Sequence, residues 1–163
     1  MKDIEIKIPI KESSFSELPE EDKRLVEAAR LATRRAYAPF SKYSVGAALL
    51  LANGEIVTGS NQENAAYPSG LCAERTAVFY ASSAYPGVAI KKIAVAARPD
   101  SDDGKDWDSG LQRNPVSPCG GCRQALIEYE HLYGPIEVIL YGSEKIYILP
   151  SVASLLPLGF TDF

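Results

Sequence analysis

The chain has 163 residues, of which 46% are hydrophobic and 23% are charged, values typical of a globular domain with a real core. We therefore expect one domain over residues 1–163. The net charge is −4 and the pI about 5.1, and basic doublets are few, among them Arg34-Arg35 and Lys91-Lys92. This charge argues against DNA, RNA or an anionic membrane as partner and favours a small neutral substrate.

The N-terminal residues carry neither the apolar core of a signal peptide nor a transmembrane segment, so we expect a cytoplasmic protein. Residues 1–11 alternate isoleucine with charged side chains, which is strand periodicity. They predict an added edge strand, or an arm on a neighbouring subunit, within an N-terminal extension over 1–19. Residues 20–36 then carry apolar side chains at helical spacing, which predicts an amphipathic helix ended by Pro39.

Two apolar runs, 44–51 and 55–62, flank Asn53-Gly54 and predict a β-hairpin. A helix over 71–84 and a short central strand over 92–97 follow. Residues 98–116 are acidic and rich in turn formers, so they predict a loop.

The last quarter of the chain predicts a helix, two strands and a final helical turn. Ser117 as N-cap and Pro118 at the first helical position begin a helix that runs to about His131. Strands over 135–141 and 145–149 come next, and Ser151 caps a last turn. This order predicts one mixed sheet with helices packed on it.

The three cysteines of the chain, Cys72, Cys119 and Cys122, predict a single metal site. Cys119-x-x-Cys122 at a helix start puts two sulfurs on one face, beside N–H groups that favour thiolates. Cys72 begins another helix and can supply a third thiolate. Zinc takes three protein ligands and leaves a fourth position open when it is catalytic.

Two other readings of the cysteines are weaker. A redox pair would need the thioredoxin-like context, which is missing. A closed structural zinc site would need a fourth ligand, and the single histidine, His131, lies roughly 13 Å beyond Cys122 along the same predicted helix. A carboxylate would have to replace it, so we expect His131 to be a surface or interface residue.

Glu74 and Arg75 lie two and three residues after Cys72, close enough in sequence to act at the same metal site. The Glu74 carboxylate can accept a proton from a metal-activated water and deliver it to a substrate nitrogen. Three thiolates and Zn²⁺ sum to −1, which weakens the metal as an acid. Arg75, on the same helix face as Cys72, can hydrogen-bond a thiolate and offset this charge.

These motifs together resemble the zinc nucleoside deaminases, and most closely the small homotetrameric cytidine deaminases of the three-cysteine type. The resemblance runs from about Leu25 to Phe160. It rests on five stretches: Tyr37–Ala48, Gly59–Tyr67, Cys72–Arg75, Ser117–Gln124 and Leu155–Phe160. It implies a three-layer α-β-α sandwich around a mixed five-stranded sheet, one zinc ion per subunit, and a homotetramer with active sites shared between subunits.

The resemblance also implies the reaction. Zinc-activated water attacks C4 of cytosine, and Glu74 protonates N3 and helps to expel the 4-amino group as ammonia. Cytidine and deoxycytidine become uridine and deoxyuridine, a step of pyrimidine salvage. Family members often carry histidine at the position of Cys72, so this chain resembles the branch in which Arg75 matters.

The implied substrate contacts lie outside the zinc motifs. Asn61 and Glu63, two residues apart at a strand end, share one face and would hold the ribose 3′-hydroxyl. The Ala73 N–H would bind O2 of the base, and Tyr43 and Phe160 would pack around the base, unless they are core or interface aromatics. Tyr67 would contact the substrate, or else it would, like Asn64, shape the loop or the contact with another subunit. The carboxylate of Glu63 disfavours a phosphate, which favours nucleosides over nucleotides.

Two segments depart from the common tetrameric pattern: the extension 1–19 and the loop 98–116. The aspartates of the loop lack EF-hand spacing, which excludes a calcium loop of that kind. A solvated loop or a lid carrying Trp107 are the remaining interpretations. Blasticidin-S deaminases also carry extra residues there and are the second candidate function, although Asn61 to Asn64 is the cytidine-type signature. A non-catalytic binding module would be expected to lose Glu74 or a zinc ligand, and all of these residues are present. A nucleic-acid editing deaminase would be expected to carry basic and aromatic stretches, which this acidic chain lacks.

Overall fold

The computed structural model describes residues 1–99 and 106–161. Its helices and strands follow in the order: β1 (Lys11–Ser13), α1 (Glu20–Ala32), β2 (Tyr43–Leu51), β3 (Ile56–Ser60), α2 (Ala73–Ala84), β4 (Ile90–Pro99), α3 (Gly120–Tyr133), β5 (Glu137–Tyr141) and β6 (Ile146–Leu149). Within these residues no helix is long and apolar enough to cross a membrane.

The described strands form one mixed sheet in the order β1-β6-β5-β4-β2-β3. Strands β4 and β5 are parallel, and all other neighbours are antiparallel. The parallel pair requires a crossover, which α3 supplies. The mixed sheet of the sequence prediction is confirmed, but it has six strands rather than five, because β1 adds a short edge strand.

The sheet is covered on both faces, as an α-β-α sandwich requires. Strand β4 shows the alternation: Ala94 and Ala96 pack towards α1, whereas Ile93 and Val95 pack towards α2 and α3. All four side chains are buried. A strand buried on both faces reads as a continuous apolar run, which is why its sequence shows no alternation.

The topology brings the starts of α2 and α3 to the same end of the sheet. Strands β3 and β4 both run antiparallel to β2 and therefore parallel to one another. Helix α2 follows β3, and α3 follows β4. Because both strands point to one end, the residues that open the two helices converge there.

Gly59 allows α2 to lie directly on β3. A Cβ atom at this position would come within 2.5 Å of the Ala73 carbonyl oxygen and 2.5 Å of the Ala77 nitrogen. Any side chain here would push the helix away from the sheet, and with it the residues at the helix start.

The N-terminal strand differs from its prediction. Residues 1–10 form no strand, and only Lys11–Ser13 pair with β6, with Lys11 opposite Ile148. Two residues beyond Ile148, Pro150 lacks an N–H group, so the ladder cannot continue along the extension. Ile4 and its neighbouring isoleucines therefore remain exposed.

Two predicted helix boundaries were also wrong. Helix α1 ends at Ala32 and tightens into a 3-10 turn, with the Thr33 hydroxyl donating to the Arg30 carbonyl oxygen at 2.5 Å, so Pro39 does not end it. Helix α3 begins at Gly120 with Cys119 as N-cap. The Ser117 hydroxyl instead accepts a hydrogen bond from Arg123. The prediction that Ser151 caps the last turn is confirmed, since its hydroxyl accepts from the Ser154 N–H.

The described part of the acidic loop is attached both to the C-terminal end of α1 and to the sheet, where the Gln112 N–H donates to the Ala97 carbonyl oxygen at 2.8 Å. The Trp107 indole N–H donates to the Thr33 hydroxyl at 2.8 Å, and the Arg98 guanidinium stacks 4.4 Å from the Trp107 ring centroid. Trp107 therefore does not act as a lid in this conformation. The most acidic part of the predicted loop, residues 100–105, lies outside the described residues.

Candidate active site

The three cysteine sulfurs meet where α2 and α3 begin. The Cys72 and Cys119 sulfurs are 3.8 Å apart, the Cys119 and Cys122 sulfurs 3.5 Å, and all three lie within 4.8 Å of one another. Cys122 is buried, Cys72 is half-buried and Cys119 is exposed. Among the described residues they form the one cluster of metal-ligating type, and the exposed His131 is not part of it.

In both helices, the N-cap residue and the residue three positions later lie at this cluster. Cys72 is the N-cap of α2 and Cys119 is the N-cap of α3. Three residues later, Arg75 and Cys122 lie on the same faces as these caps. The unpaired N–H groups of two helix starts thus point towards the sulfurs and favour their ionised form.

Interactions within the cluster separate the acidities of the thiols. Hydrogen bonding from Cys122, together with Arg75 and Cys119, lowers the pKa of Cys72 to about 5 in spite of partial burial. The bond to Cys72 and burial raise the pKa of Cys122. Arg75 takes part directly, because its Nη2 atom lies 3.7 Å from the Cys72 sulfur.

Glu74 lies beside the sulfurs and is almost inaccessible, with 4% of its surface exposed. Burial raises the pKa of its carboxyl group, and the neighbouring Cys72 adds to this, while a hydrogen bond with Cys122 opposes it. Because burial favours the neutral form of the Glu74 carboxyl group, this side chain is suited to accept a proton and pass it on.

A cleft of about 530 Å³ opens beside the cluster. Cys72 and Arg75 are among its lining residues, so the cysteine cluster meets the cavity through Cys72. The remaining lining residues come from the segments around residues 40 and 60–71: Phe40, Ser41, Asn61, Gln62, Glu63, Asn64, Tyr67, Gly70 and Leu71. This volume lies in the range of small-molecule sites.

Asn61 and Glu63 both line this cleft, and both also hold the local backbone. The Asn61 side chain accepts from the Val45 N–H at 2.7 Å and donates to the Tyr43 carbonyl oxygen at 2.8 Å. The Glu63 carboxylate accepts from the Phe40 N–H at 2.8 Å, and hydrogen bonds from Ser41 and Phe40 lower its pKa. One Asn61 N–H and several Glu63 lone pairs remain for a ligand.

Of the other predicted substrate contacts, Tyr67 lines the cleft, whereas Ala73, Tyr43 and Phe160 do not. Ala73 is fully buried as the first residue of α2, so its N–H has no acceptor within the helix. Tyr67 lines the cleft and is 76% exposed. Tyr43 and Phe160 do not line it; Tyr43 is half-buried, and Phe160 is exposed beside α3.

The sequence reading missed Phe40 and Ser41. Phe40 packs edge to face on Tyr67, with ring centroids 6.0 Å apart, and forms a wall of the cleft. Ser41 helps to fix Glu63. Both lie in the quoted stretch Tyr37–Ala48, but their role depends on a contact with a segment more than twenty residues away, which spacing alone does not reveal.

The donor set fits zinc. Zinc–sulfur bonds of about 2.3 Å at tetrahedral angles place sulfurs about 3.8 Å apart, close to the observed distances. The Arg75 Nε atom is buried without a hydrogen-bond partner among the described residues. A buried N–H group without a partner is costly, and negative charge on the adjacent sulfurs would offset part of that cost.

Comparison with known proteins also indicates a zinc site in this part of the chain. Residues 19–133 match the family "Cytidine and deoxycytidylate deaminase zinc-binding region". A cytidine deaminase of Sporosarcina psychrophila is 40% identical over 85% of this chain and 90% of its own. A probable cytidine deaminase of Dictyostelium discoideum is 34% identical over 85% of this chain and 82% of its own.

Solved structures are similar over the same span. The cytidine deaminase of Burkholderia pseudomallei has 39% identity and a TM-score of 0.69, and covers 84% of this chain and 97% of its own. That of Mycobacterium tuberculosis has 29% identity and a TM-score of 0.64, and covers 85% and 96%.

Fold and site thus define a zinc-dependent hydrolase built on an α-β-α sandwich. The chain belongs to the cytidine and deoxycytidylate deaminase family. Zinc is its cofactor, and the three clustered cysteines are the residues suited to hold it.

Proposed function

We propose that this enzyme hydrolytically deaminates cytidine and deoxycytidine to uridine and deoxyuridine, with release of ammonia, as a single catalytic domain in cytoplasmic pyrimidine salvage. The observation that carries the proposal is a buried glutamate, Glu74, beside three clustered thiols, one of which, that of Cys72, lines a nucleoside-sized cleft. Its relatives from Sporosarcina psychrophila and Burkholderia pseudomallei are cytidine deaminases, which supports the choice of substrate.

In this proposal Cys72, Cys119 and Cys122 hold the zinc ion. When bound, zinc lowers the pKa of water, so that a hydroxide nucleophile is available near neutral pH. Glu74 accepts the proton of the water and delivers it to N3 while the water oxygen adds to C4. Glu74 then takes the proton of the new C4 hydroxyl and passes it to the 4-amino group, so the C4–N4 bond breaks and ammonia leaves as the C4 carbonyl forms. The reaction consumes one water and releases one ammonia.

Asn61 and Glu63 bind the ribose in this proposal. The free Asn61 N–H donates a hydrogen bond to the 3′-hydroxyl oxygen, and the hydroxyl group donates one to a remaining lone pair of the Glu63 carboxylate. Since hydrogen bonds lower the pKa of Glu63, its carboxylate stays charged and repels a phosphate. The Ala73 N–H donates to O2 of the base, while Tyr67 contacts the nucleoside at the cleft wall.

We further propose a homotetramer with shared active sites. Phe160 is 68% exposed and does not line the cleft of its own chain, which supports a role in the cleft of a second copy. Tyr43 would then support the base pocket from behind, through the carbonyl that Asn61 binds. Light scattering tests this state, and a monomer would contradict it.

A substrate panel tests the proposed function. We expect the zinc-loaded enzyme to release ammonia from cytidine and deoxycytidine, with the accompanying change in ultraviolet absorbance, and to leave cytidine monophosphate largely unchanged because of Glu63. Turnover of blasticidin S alone would support the second candidate function. Efficient turnover of the monophosphate would contradict the role of Glu63.

Replacing Arg75 by glutamine is expected to lower kcat by about 10- to 100-fold. The substitution removes the charge that lies 3.7 Å from the Cys72 sulfur, so the excess negative charge of the thiolates weakens the metal as an acid. Steady-state kinetics and zinc content measure the effect. Arg24→Gln, on exposed α1 surface, is the matched control. Wild-type kinetics in Arg75→Gln would remove Arg75 from the mechanism.

A further inference from the structure

The structure assigns to Gln124 a positioning role: by holding the backbone of Phe160, it sets where the Phe160 ring meets the base of the nucleoside. This inference rests on the proposed function, in which Phe160 contacts the base. Gln124 would touch neither substrate nor metal, and it would act only through Phe160.

Gln124 binds Phe160 through both ends of its side-chain amide. Its Nε2 atom donates to the Phe160 carbonyl oxygen at 2.8 Å, and its Oε1 atom accepts from the Phe160 N–H at 3.2 Å. This two-point pairing resembles the contact between residues on neighbouring strands. It fixes the direction of the backbone at Phe160 as well as its position, and therefore the direction in which the ring leaves the chain.

Arg123 anchors the beginning of the same C-terminal segment. Its guanidinium donates to the Leu155 carbonyl oxygen at 2.8 Å. It also donates to the Pro118 carbonyl oxygen at 2.8 Å, directly before Cys119. The segment between Leu155 and Phe160 is therefore attached at both ends to the first turns of α3, the helix whose start carries two metal-ligating cysteines.

The rest of the segment follows one face of α3. Gly159 lies so close to Ile127 that a Cβ atom there would come within 2.8 Å of the Ile127 side chain. One turn further along α3, and just before this segment, the Glu130 carboxylate accepts from the Val152 N–H at 2.7 Å. Gln124, Ile127 and Glu130 are three residues apart along the helix and share this face.

Burial contributes little to the position of Phe160 itself, because 68% of its surface is exposed. The two backbone hydrogen bonds with Gln124 therefore contribute a larger share of what orients Phe160 than they would for a core residue. The contacts that fix the cysteine loop belong instead to Arg123. A substitution of Gln124 should thus release Phe160 without releasing zinc.

Gln124→Met removes both hydrogen bonds while keeping the length of the side chain. We expect KM for cytidine to rise about tenfold, the effect of losing one to two net hydrogen bonds. We expect kcat to change less than about threefold, and zinc per chain to stay at the wild-type level. Glu128→Gln, on the same helix, is the matched control and should leave all three values unchanged.

A double-mutant cycle with Phe160→Ala tests whether Gln124 acts through Phe160. We expect Gln124→Met to raise KM about tenfold in the wild-type background and less than about twofold in the Phe160→Ala background. Additive effects, or an unchanged KM in Gln124→Met, would overturn the inference. Gln124→Glu keeps the acceptor for the Phe160 N–H and allows the same cycle with a smaller change if Gln124→Met is unstable. An active wild-type enzyme with additive effects would refute this inference alone, whereas a wild-type enzyme that deaminates no cytidine would refute the proposed function and this inference with it.

Discussion

Replacing Glu74 with glutamine is expected to reduce kcat by about 10²- to 10⁴-fold. Glutamine keeps the shape of the buried side chain but cannot accept a proton from water or deliver one to N3. Because the three cysteines are untouched, zinc content should remain at the wild-type value. The burial of Glu74 makes this contrast sharp, since little solvent is available to relay protons in its place.

Steady-state kinetics with cytidine and zinc quantification on one preparation check this expectation. Glu55→Gln, at the exposed tip of the β2–β3 hairpin, makes the same chemical change away from the site and should leave kcat unaltered. A Glu74→Gln enzyme that keeps more than about a tenth of wild-type kcat would show that another group moves the protons.

Replacing Cys122 with alanine is expected to remove zinc and turnover together. Its sulfur is the fully buried member of the three, with 0% of the residue exposed, so solvent cannot easily supply a substitute ligand. Because zinc binds the folded state, its loss also lowers stability, by about 4 kcal/mol when the metal is present at about a thousand times its Kd.

Thermal unfolding with and without a chelator separates metal loss from the small cavity left by the sulfur. With zinc present, Cys122→Ala should unfold at a clearly lower temperature than the wild type, and in chelator the difference should shrink to that of the cavity. An equal difference under both conditions would mean that Cys122 is only a core residue. Cys72→His is the companion variant, because imidazole is a zinc ligand, and it should retain the metal.

Much of the site could be predicted because it depends on short spacings at helix starts. Cys72 and Arg75 are three residues apart at the start of α2, so the helix alone brings the sulfur and the guanidinium to one face. Glu74, within the same turn, was predicted from its closeness in sequence to Cys72. The pair Cys119 and Cys122 follows the same rule on α3. Local periodicity also sufficed for the hairpin and for the mixed character of the sheet.

The remaining features depend on contacts between distant segments. Residues 1–10 have the alternation of a strand but form none. Only Lys11–Ser13 pair with β6, and Pro150, which follows β6, has no N–H group to continue the pairing. Asn61 was predicted as a ribose ligand, and its use in holding the start of β2 could not be predicted from sequence. The bonds between Gln124 and Phe160 join residues 36 positions apart and depend on how the C-terminal segment lies on α3.

The most direct test of a three-thiolate zinc site that deaminates cytidine is the release of ammonia measured against zinc bound per chain. Zinc is removed by chelation and restored in steps, and ammonia and uridine are quantified at each step. We predict that turnover rises in proportion to zinc, reaches its maximum at one zinc ion per chain, and yields one ammonia for each uridine formed. No ammonia from cytidine at one zinc per chain, or full turnover by the zinc-free protein, would contradict the account.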